Sequence, residues 1–476
     1  MQKRGGRPGR FEKVAEVLLA PGDFAGPLIR PFQQFFRKEA AGSILLISAA
    51  LLAFAWSNSP FAAIYRDLLH TEVSLTLGPF GISRSLLHWI NDGLMVLFFL
   101  IVGLEIKREM LMGELASFRR AVLPVAAAAG GMIVPALTFL AFNYGTATAK
   151  GWGIPMATDI AFALGAIAVL GRRVPSTLRI FLSAFAIADD IGAVIVIALF
   201  YTEKIVFSAL LLVFLFTAAL VALNRLGVRR LLPYGVLGFC LWLALLGSGI
   251  HATLAGIIIA LSIPARGTYG TDKFVREVGY LMEGFDCPSG RCGFSILENE
   301  EHQNRVQSIE LACRHVESPL QRMEHGLTPW VAFVIVPLFA LVNSGLSLAG
   351  TDLGGAFRAP LSLGIAAGLT LGKPLGITLF SFLAVKSGLA ELPERVRWSH
   401  VAGVGFLGGI GFTMSLFIAM LSFFTPAMIA YAKFGIFAGS LLSAACGIGL
   451  LWVSSSGNEK KRPVHRDDDA GRQAVR

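Results

Sequence analysis

Long apolar runs separated by short polar clusters dominate the sequence of 476 residues. A helix needs roughly 20 mostly apolar residues to cross a bilayer, and about twelve runs come near that length. The pattern therefore predicts an all-α polytopic membrane protein with about twelve transmembrane helices. The predicted spans are Ala40–Trp56, Ile90–Ile106, Val122–Phe142, Ile154–Leu170, Leu178–Phe200, Val206–Leu223, Leu231–Leu246, Ile250–Ile263, Trp330–Leu348, Leu361–Val385, Val401–Phe424 and Met428–Val453.

Two stretches between the spans have patterns of their own. In Thr71–Ser85, Val73, Leu75 and Leu77 alternate with polar residues and a Gly-Pro pair supplies a turn, which predicts a β-hairpin, with an irregular loop as the alternative. Residues 266–325 form one long polar insert, which we interpret as a cytoplasmic loop. The predicted regions are a basic cytoplasmic tail (1–38), a membrane domain (39–455) and a charged cytoplasmic tail (456–476).

Charge is scarce and unevenly placed. Charged residues make up 15% of the chain, against about a quarter in soluble proteins. The formal net charge of +10 does not indicate nucleic-acid binding, because the basic residues lie at the ends of apolar runs. Every second loop is rich in Lys and Arg, so the positive-inside rule places both termini in the cytoplasm. The N-terminal segment lacks the pattern of a cleaved signal peptide.

The fifth predicted span contains two adjacent acids, Asp189 and Asp190, near its middle. A charge near the bilayer centre costs several kcal/mol, on the order of 3, so it marks a function or a tight pairing. Two adjacent carboxylates in a poorly solvated site cannot both ionise cheaply. Such a pair can hold protons or a cation, and we expect it to lie at the centre of an ion site. The alternative is that the pair caps a break between two shorter helices.

The fourth span carries Thr158 and Asp159 deep in an apolar run, just after Pro155. A Thr-Asp pair can cap a half-helix that begins inside the membrane. It can also supply hard oxygen ligands to a cation such as sodium. The two readings are compatible, because a broken helix also frees backbone carbonyls to bind an ion.

Spans ten and eleven complete the unusual set. Lys373 lies mid-span before Pro374, and the midplane acids are its available partners, either for transport or for structure alone. The eleventh span contains GVGFLGGIGFTMS, whose glycine density permits either an unwound stretch or close helix packing. One interrupted helix in each half of the chain is the pattern expected of inverted repeats around a central site, a rule drawn from solved transporters of this kind.

At this point the chain closely resembles the NhaA-type sodium/proton antiporters over roughly residues 38–455. The motifs that carry the resemblance are INDGLMVLFFLIVGLEIKRE (90–109), ATDIAFALG (157–165), FAIADDIGA (185–193), SGIHATLAG (248–256), MEHGLTPWVAF (323–333), LGKPLGI (371–377) and GGIGFTMSLFI (408–418).

The resemblance implies a twelve-helix fold in which helices four and eleven are interrupted and cross. It implies a sodium and proton site at Asp189 and Asp190, with Asp159 and Thr158 alongside and Lys373 contacting Asp189 or stabilising the crossing. It also implies a multi-pass protein of a prokaryotic inner membrane, dimerisation through the 71–85 hairpin, and no cofactor, with sodium or lithium ions and protons as substrates. The residues that match pH-response positions are Glu105, Glu109, His251, Glu324 and His325, and Asp92 matches a further membrane acid.

Physical alternatives remain open for the pH-response residues. His251 and His325 are the natural titrators near neutral pH, but one could cap its helix and the other could be a solvated loop residue. Glu105 and Glu109 could form an ordinary charged helix end. The sequence departs from the family pattern at Thr328, where we expected His, and in the long insert before Glu324.

The predicted function is exchange of sodium for protons by competition at one site, with a pH-dependent rate. The alternative within transport is a sodium-coupled symporter of a small solute, which needs a larger polar cavity. An intramembrane aspartyl protease would need acids on separate helices, usually in a Gly-x-Gly-Asp motif that the chain lacks. A passive channel would not explain a pair of proton-titrating acids.

Overall fold

We describe a computed structural model of the chain, which covers residues 26–77, 80–202, 206–283, 300–348 and 352–456. The chain starts with helix α1 (Gly26–Ser57) and the short helix α2 (Ala62–His70), which turns 112° away from the apolar part of α1. An antiparallel pair of strands follows, β1 (Glu72–Leu77) and β2 (Phe80–Ser85). The predicted β-hairpin is therefore confirmed.

The remaining elements up to the insert are helical. They are α3 (Leu86–Met112), α4 (Phe118–Asn143), a 3-10 helix (Ala147–Met156), α5 (Ile160–Leu170), α6 (Ser176–Phe200), α7 (Phe207–Arg225), α8 (Leu231–Leu246) and α9 (Leu254–Ser262). The insert contributes α10 (Thr271–Glu283) and α11 (Glu300–Val316), which pack against each other. The last elements are α12 (Pro319–Asn343), α13 (Leu353–Arg358), α14 (Pro360–Lys386), α15 (Trp398–Gly408), α16 (Phe412–Ser422) and α17 (Pro426–Ser456).

Among the described residues, seven helices are long and apolar enough to cross a bilayer, namely α3, α4, α6, α7, α12, α14 and α17. Two further spans are broken: the 3-10 helix and α5 meet at 42°, and α15 and α16 meet at 46°. Helices α1, α8 and α9 fill the other predicted segments. The predicted all-α membrane fold with interrupted fourth and eleventh spans is thus confirmed. The eighth segment is less helical than predicted, because its first residues, Ile250–Thr253, lie outside α9.

Small residues allow the helices to approach closely. A Cβ atom at Gly130 of α4 would collide with the backbone carbonyl of Gly376 in α14. Similarly, a Cβ atom at Gly103 of α3 would lie 2.7 Å from the side chain of Ala260 in α9. Lipid is as apolar as the helices, so this close packing supplies much of the attraction between membrane helices. The result is a dense bundle in which the two broken spans lie side by side.

Candidate ion site

The break in the fourth span is fixed by its own side chains. The backbone is extended from Ala157 to Asp159, and Asp159 is the N-cap of α5. Its Oδ1 atom accepts a hydrogen bond from the backbone N–H of Phe162 at 3.2 Å. Asp is a preferred N-cap residue because its carboxylate satisfies a backbone donor that the helix leaves free. The structure therefore contains the predicted cap: Asp159 caps the half-helix α5.

The break in the eleventh span lies against the first one. The N–H of Asp159 donates to the carbonyl of Ile410 at 2.7 Å, and the hydroxyl of Thr158 donates to the carbonyl of Gly408 at 2.9 Å. In the other direction, the N–H of Thr413 donates to Oδ2 of Asp159 at 3.1 Å, and the Thr413 hydroxyl donates to the same oxygen. The two breaks therefore satisfy each other's free backbone groups. Glycine is required at Gly409, because a Cβ atom there would collide with the carbonyl of Leu369.

Lys373 joins α14 to this crossing. Its Nζ atom lies 2.8 Å from Oδ2 of Asp189, and neither side chain has any exposed surface. The same ammonium group donates to the carbonyl of Met156, at the end of the 3-10 helix. A π-helical turn, Gly368–Gly372, ends directly before Lys373, and such turns are frequent at functional sites. The lysine thus pairs with the Asp189 carboxylate and also satisfies the carbonyl of Met156 at the end of the 3-10 helix.

The acid pair lies in the middle of a continuous helix. Helix α6 runs without a break through Asp189 and Asp190, so the pair does not cap two shorter helices. Both residues are buried, and within the described chain the Oδ1 atom of each has no hydrogen-bond partner. Buried polar atoms are nearly always paired, so these carboxylate oxygens are free to take up a proton, a cation or a water molecule. One lysine cannot neutralise both carboxylates.

A narrow cavity of about 160 Å³ reaches the site from one side. Its polar lining comes from seven side chains, and the rest of its wall is largely apolar. These side chains are Ser43, Glu105, Thr158, Asp159, Asp190, Thr328 and Thr413. Asp190 is thus accessible from this cavity, whereas Asp189 is held behind it by Lys373.

A second cavity, of about 850 Å³, approaches from the opposite end of the bundle. It is lined by Asp92 and His251 and ends at Phe417, whereas Met414 lines the first cavity. These two residues of α16 are three positions apart, which is about one helical turn. The Phe417 ring packs against Phe99, Phe339 and His251, with ring centres 5.5, 6.3 and 5.4 Å away. The barrier between the cavities is therefore short and aromatic.

Comparison with known proteins agrees with this geometry. The model of the family described as Na+/H+ antiporter 1 matches residues 33–451. The chain belongs to the Na+/H+ antiporter 1 family. It is 48% identical over 429 residues to Na(+)/H(+) antiporter NhaA 2 of Syntrophotalea carbinolica, covering 90% of this chain and 98% of that protein. It is 47% identical over 441 residues to Na(+)/H(+) antiporter NhaA of Oleidesulfovibrio alaskensis, covering 91% of this chain and 96% of that protein.

Four of the residues predicted for the pH response of this antiporter lie together at one end of α3 and α12. Arg108 pairs with Glu324, with Nη1 and Oε1 2.5 Å apart, and Glu105 lines the narrow cavity nearby. The carboxylate of Glu109 accepts a hydrogen bond from the N–H of Glu114 at 2.6 Å and so closes the end of α3. His325 is largely exposed, and its Nδ1 atom lies 3.4 Å from Oε1 of Glu317.

His251 does not join this group. Its Nε2 atom lies 4.0 Å from Oδ1 of Asp92, and its Nδ1 atom is 2.7 Å from the hydroxyl of Thr253. Asp92 precedes Glu105 by 13 positions on α3, so these two residues are about 20 Å apart along the helix. The structure therefore divides the predicted pH-response residues of this antiporter between opposite ends of the bundle.

Sequence reasoning missed two residues beside the candidate site. Thr413 binds Asp159 from across the crossing, and Phe417 closes the larger cavity. Both lie within the GGIGFTMSLFI motif. A Thr at the start of a half-helix is a capping signal, so Thr413 could have been found once the break was placed. Nothing in the sequence distinguishes Phe417 from the other aromatic residues of the spans.

Proposed function

We propose that this antiporter exchanges sodium for protons by competition at Asp189 and Asp190. The observation that carries the proposal is a pair of buried carboxylates sharing one lysine, each with an oxygen that lacks a partner in the described chain. A sodium ion that reaches Asp190 through the narrow cavity would bind in place of a proton. Carboxylate, hydroxyl and carbonyl oxygens are the ligands that hard cations prefer. Thr158 and Asp159 line the same cavity and would lie beside the ion.

Lys373 would keep the site from binding its ion too tightly to release it. With its ammonium group on Asp189, the two ionised carboxylates and the lysine together have a net charge of about −1, which one sodium ion or one proton balances. Without the lysine a second cation would be needed, and release would be harder. The two cavities give the site a route from each side, and the Phe417 barrier would prevent both from being open together.

The experiment is counterflow in proteoliposomes that contain the whole chain. A sodium gradient should drive proton movement in the opposite direction, reported by an entrapped pH-sensitive dye. Proton movement in the same direction as sodium would overturn the proposed exchange. Sodium flux without proton movement would also overturn it, and would indicate a channel or a sodium-coupled symporter of a small solute.

We further propose that Glu105, Glu109, Glu324 and His325 tune the rate with pH from the cytoplasmic side, and that His251 and Asp92 act from the other. Both termini then face the cytoplasm, as the basic loops indicate. Lithium, a smaller ion of the same charge, should also be a substrate. The β1–β2 hairpin would join two copies of the chain. Tag accessibility in intact cells would test the orientation, and the mass of a purified hairpin-deleted protein would test the dimer.

A further inference from the structure

The carboxylate of Asp159 receives donors from both broken spans. Oδ1 accepts from the N–H of Phe162 in α5, and Oδ2 accepts from the N–H and the hydroxyl of Thr413 in α16. One side chain therefore caps the N-terminal ends of two half-helices. The two backbone donors come with the fold, whatever residues occupy positions 162 and 413. The Thr413 hydroxyl is the only one of these three donors that a side chain supplies.

Thr413 is well placed to influence the ion as well. It is buried, and it lines the same narrow cavity as Asp159 and Asp190. Its hydroxyl is engaged by Asp159, so it holds the carboxylate toward α16. Three donors hold the carboxylate, so the hydroxyl helps to fix the Asp159 oxygens in one orientation beside the acid pair.

We propose that Thr413 is a positioning residue for sodium binding, acting through Asp159 and resting on the proposed exchange site at Asp189 and Asp190. Asp159 lines the narrow cavity beside Asp190, and the Thr413 hydroxyl holds its carboxylate in one orientation there. Loss of the hydroxyl alone lets the carboxylate turn and weakens sodium binding. The rate of the conformational switch does not depend on it.

The test replaces Thr413 by Val, which has nearly the same shape but no hydroxyl, and by Ser, which retains it. In proteoliposomes, Thr413→Val should raise the KM for sodium by roughly threefold to tenfold, the loss expected for one hydrogen bond of ordinary strength. The rate falls as the medium becomes acidic, and this fall should move to higher pH, because weaker sodium binding lets protons compete at a lower concentration. The kcat at alkaline pH and saturating sodium should stay within about twofold of the original. Thr413→Ser should restore both the KM and the pH profile.

The matched control is Thr138→Val in α4. The hydroxyl of Thr138 donates only to Val134 of its own helix, at 2.8 Å, so the same chemical change should leave the KM for sodium unaltered. An unchanged KM and pH profile in Thr413→Val would overturn the proposal. A lower kcat with an unchanged KM in both Thr413 variants would also overturn it, because it would show a purely structural role. Failure of the original protein to exchange sodium for protons would instead refute the proposed function.

Discussion

Arg108 and Glu324 form an ion pair, with Nη1 and Oε1 2.5 Å apart, that joins the last turns of α3 to the first turns of α12. Glu324 is mostly buried, whereas the Arg108 side chain is 41% exposed. Lys107, the neighbour of Arg108, donates to the carbonyls of Leu261 and Ile263 at the end of α9. Two adjacent basic residues of α3 therefore hold both ends of the insert that separates α9 from α12.

This pair gives the first prediction. Arg108→Gln and Glu324→Gln should each shift the pH midpoint of exchange, and the double variant should shift it no further than the larger single change. We expect a coupling of about 1 kcal/mol in a thermal unfolding cycle, because one partner is half-exposed and solvent screens the pair. Arg119→Gln, in an exposed position at the start of α4, is the control. Strictly additive shifts would show that the two residues act independently.

Asp190→Asn should reduce sodium-dependent proton movement to the background of empty vesicles. The amide retains the shape of the carboxylate but cannot exchange a proton or offer a negative charge to sodium. Asp272→Asn, which changes an exposed acid of α10, should behave as the original protein does. Dye-reported exchange by vesicles with matched protein content is the measurement. Near-normal exchange by a well-folded Asp190→Asn protein would remove Asp190 from the site.

Lys373→Ala should impair stability and transport far more than Lys386→Ala. Removing one partner of a buried ion pair leaves the other charge uncompensated and typically costs about 3–5 kcal/mol. Lys386 is exposed and its ammonium lies 5.8 Å from the Phe382 ring centre, a distance at which little is lost. Thermal unfolding in detergent and sodium uptake should both rank the variants in this order. Equal, small effects would mean that the Lys373–Asp189 contact is dispensable.

Sodium should move the acid-side loss of transport to lower pH. If protons and sodium compete for Asp189 and Asp190, a high sodium concentration displaces protons and preserves the rate at more acidic pH. A separate sensor such as Glu105 or Glu324 would instead fix the midpoint. The rate should be measured against pH at sodium concentrations from well below to well above the KM. A midpoint that stays constant across the series would exclude simple competition.

The sequence was informative where a polar residue interrupts an apolar run. The depth of Asp159, Asp189 and Asp190 follows from their positions in the spans, because a charge there is costly without a function. The spans alone do not choose between Asp189 and Asp190 as the partner of Lys373, since adjacent residues on a helix point about 100° apart. The family resemblance offered Asp189, and the tertiary structure places Lys373 of α14 against Asp189 of α6. The separation of His251 from Glu324 also depends on how the helices pack. The positions of titratable residues along the chain do not show which of them lie close together in the fold.

The short aromatic barrier at Phe417 has an electrical consequence. When water fills a cavity on each side, nearly all of the membrane voltage falls across the thin stretch between them, here about one turn of α16. A potential of 100 mV acts on one elementary charge with about 2.3 kcal/mol. An ion would then reach Asp190 from the narrow cavity almost without sensing the voltage. The voltage would act instead on the step in which the barrier moves from one side of the carboxylates to the other, and it would set the direction of that step whenever the site carries a net charge.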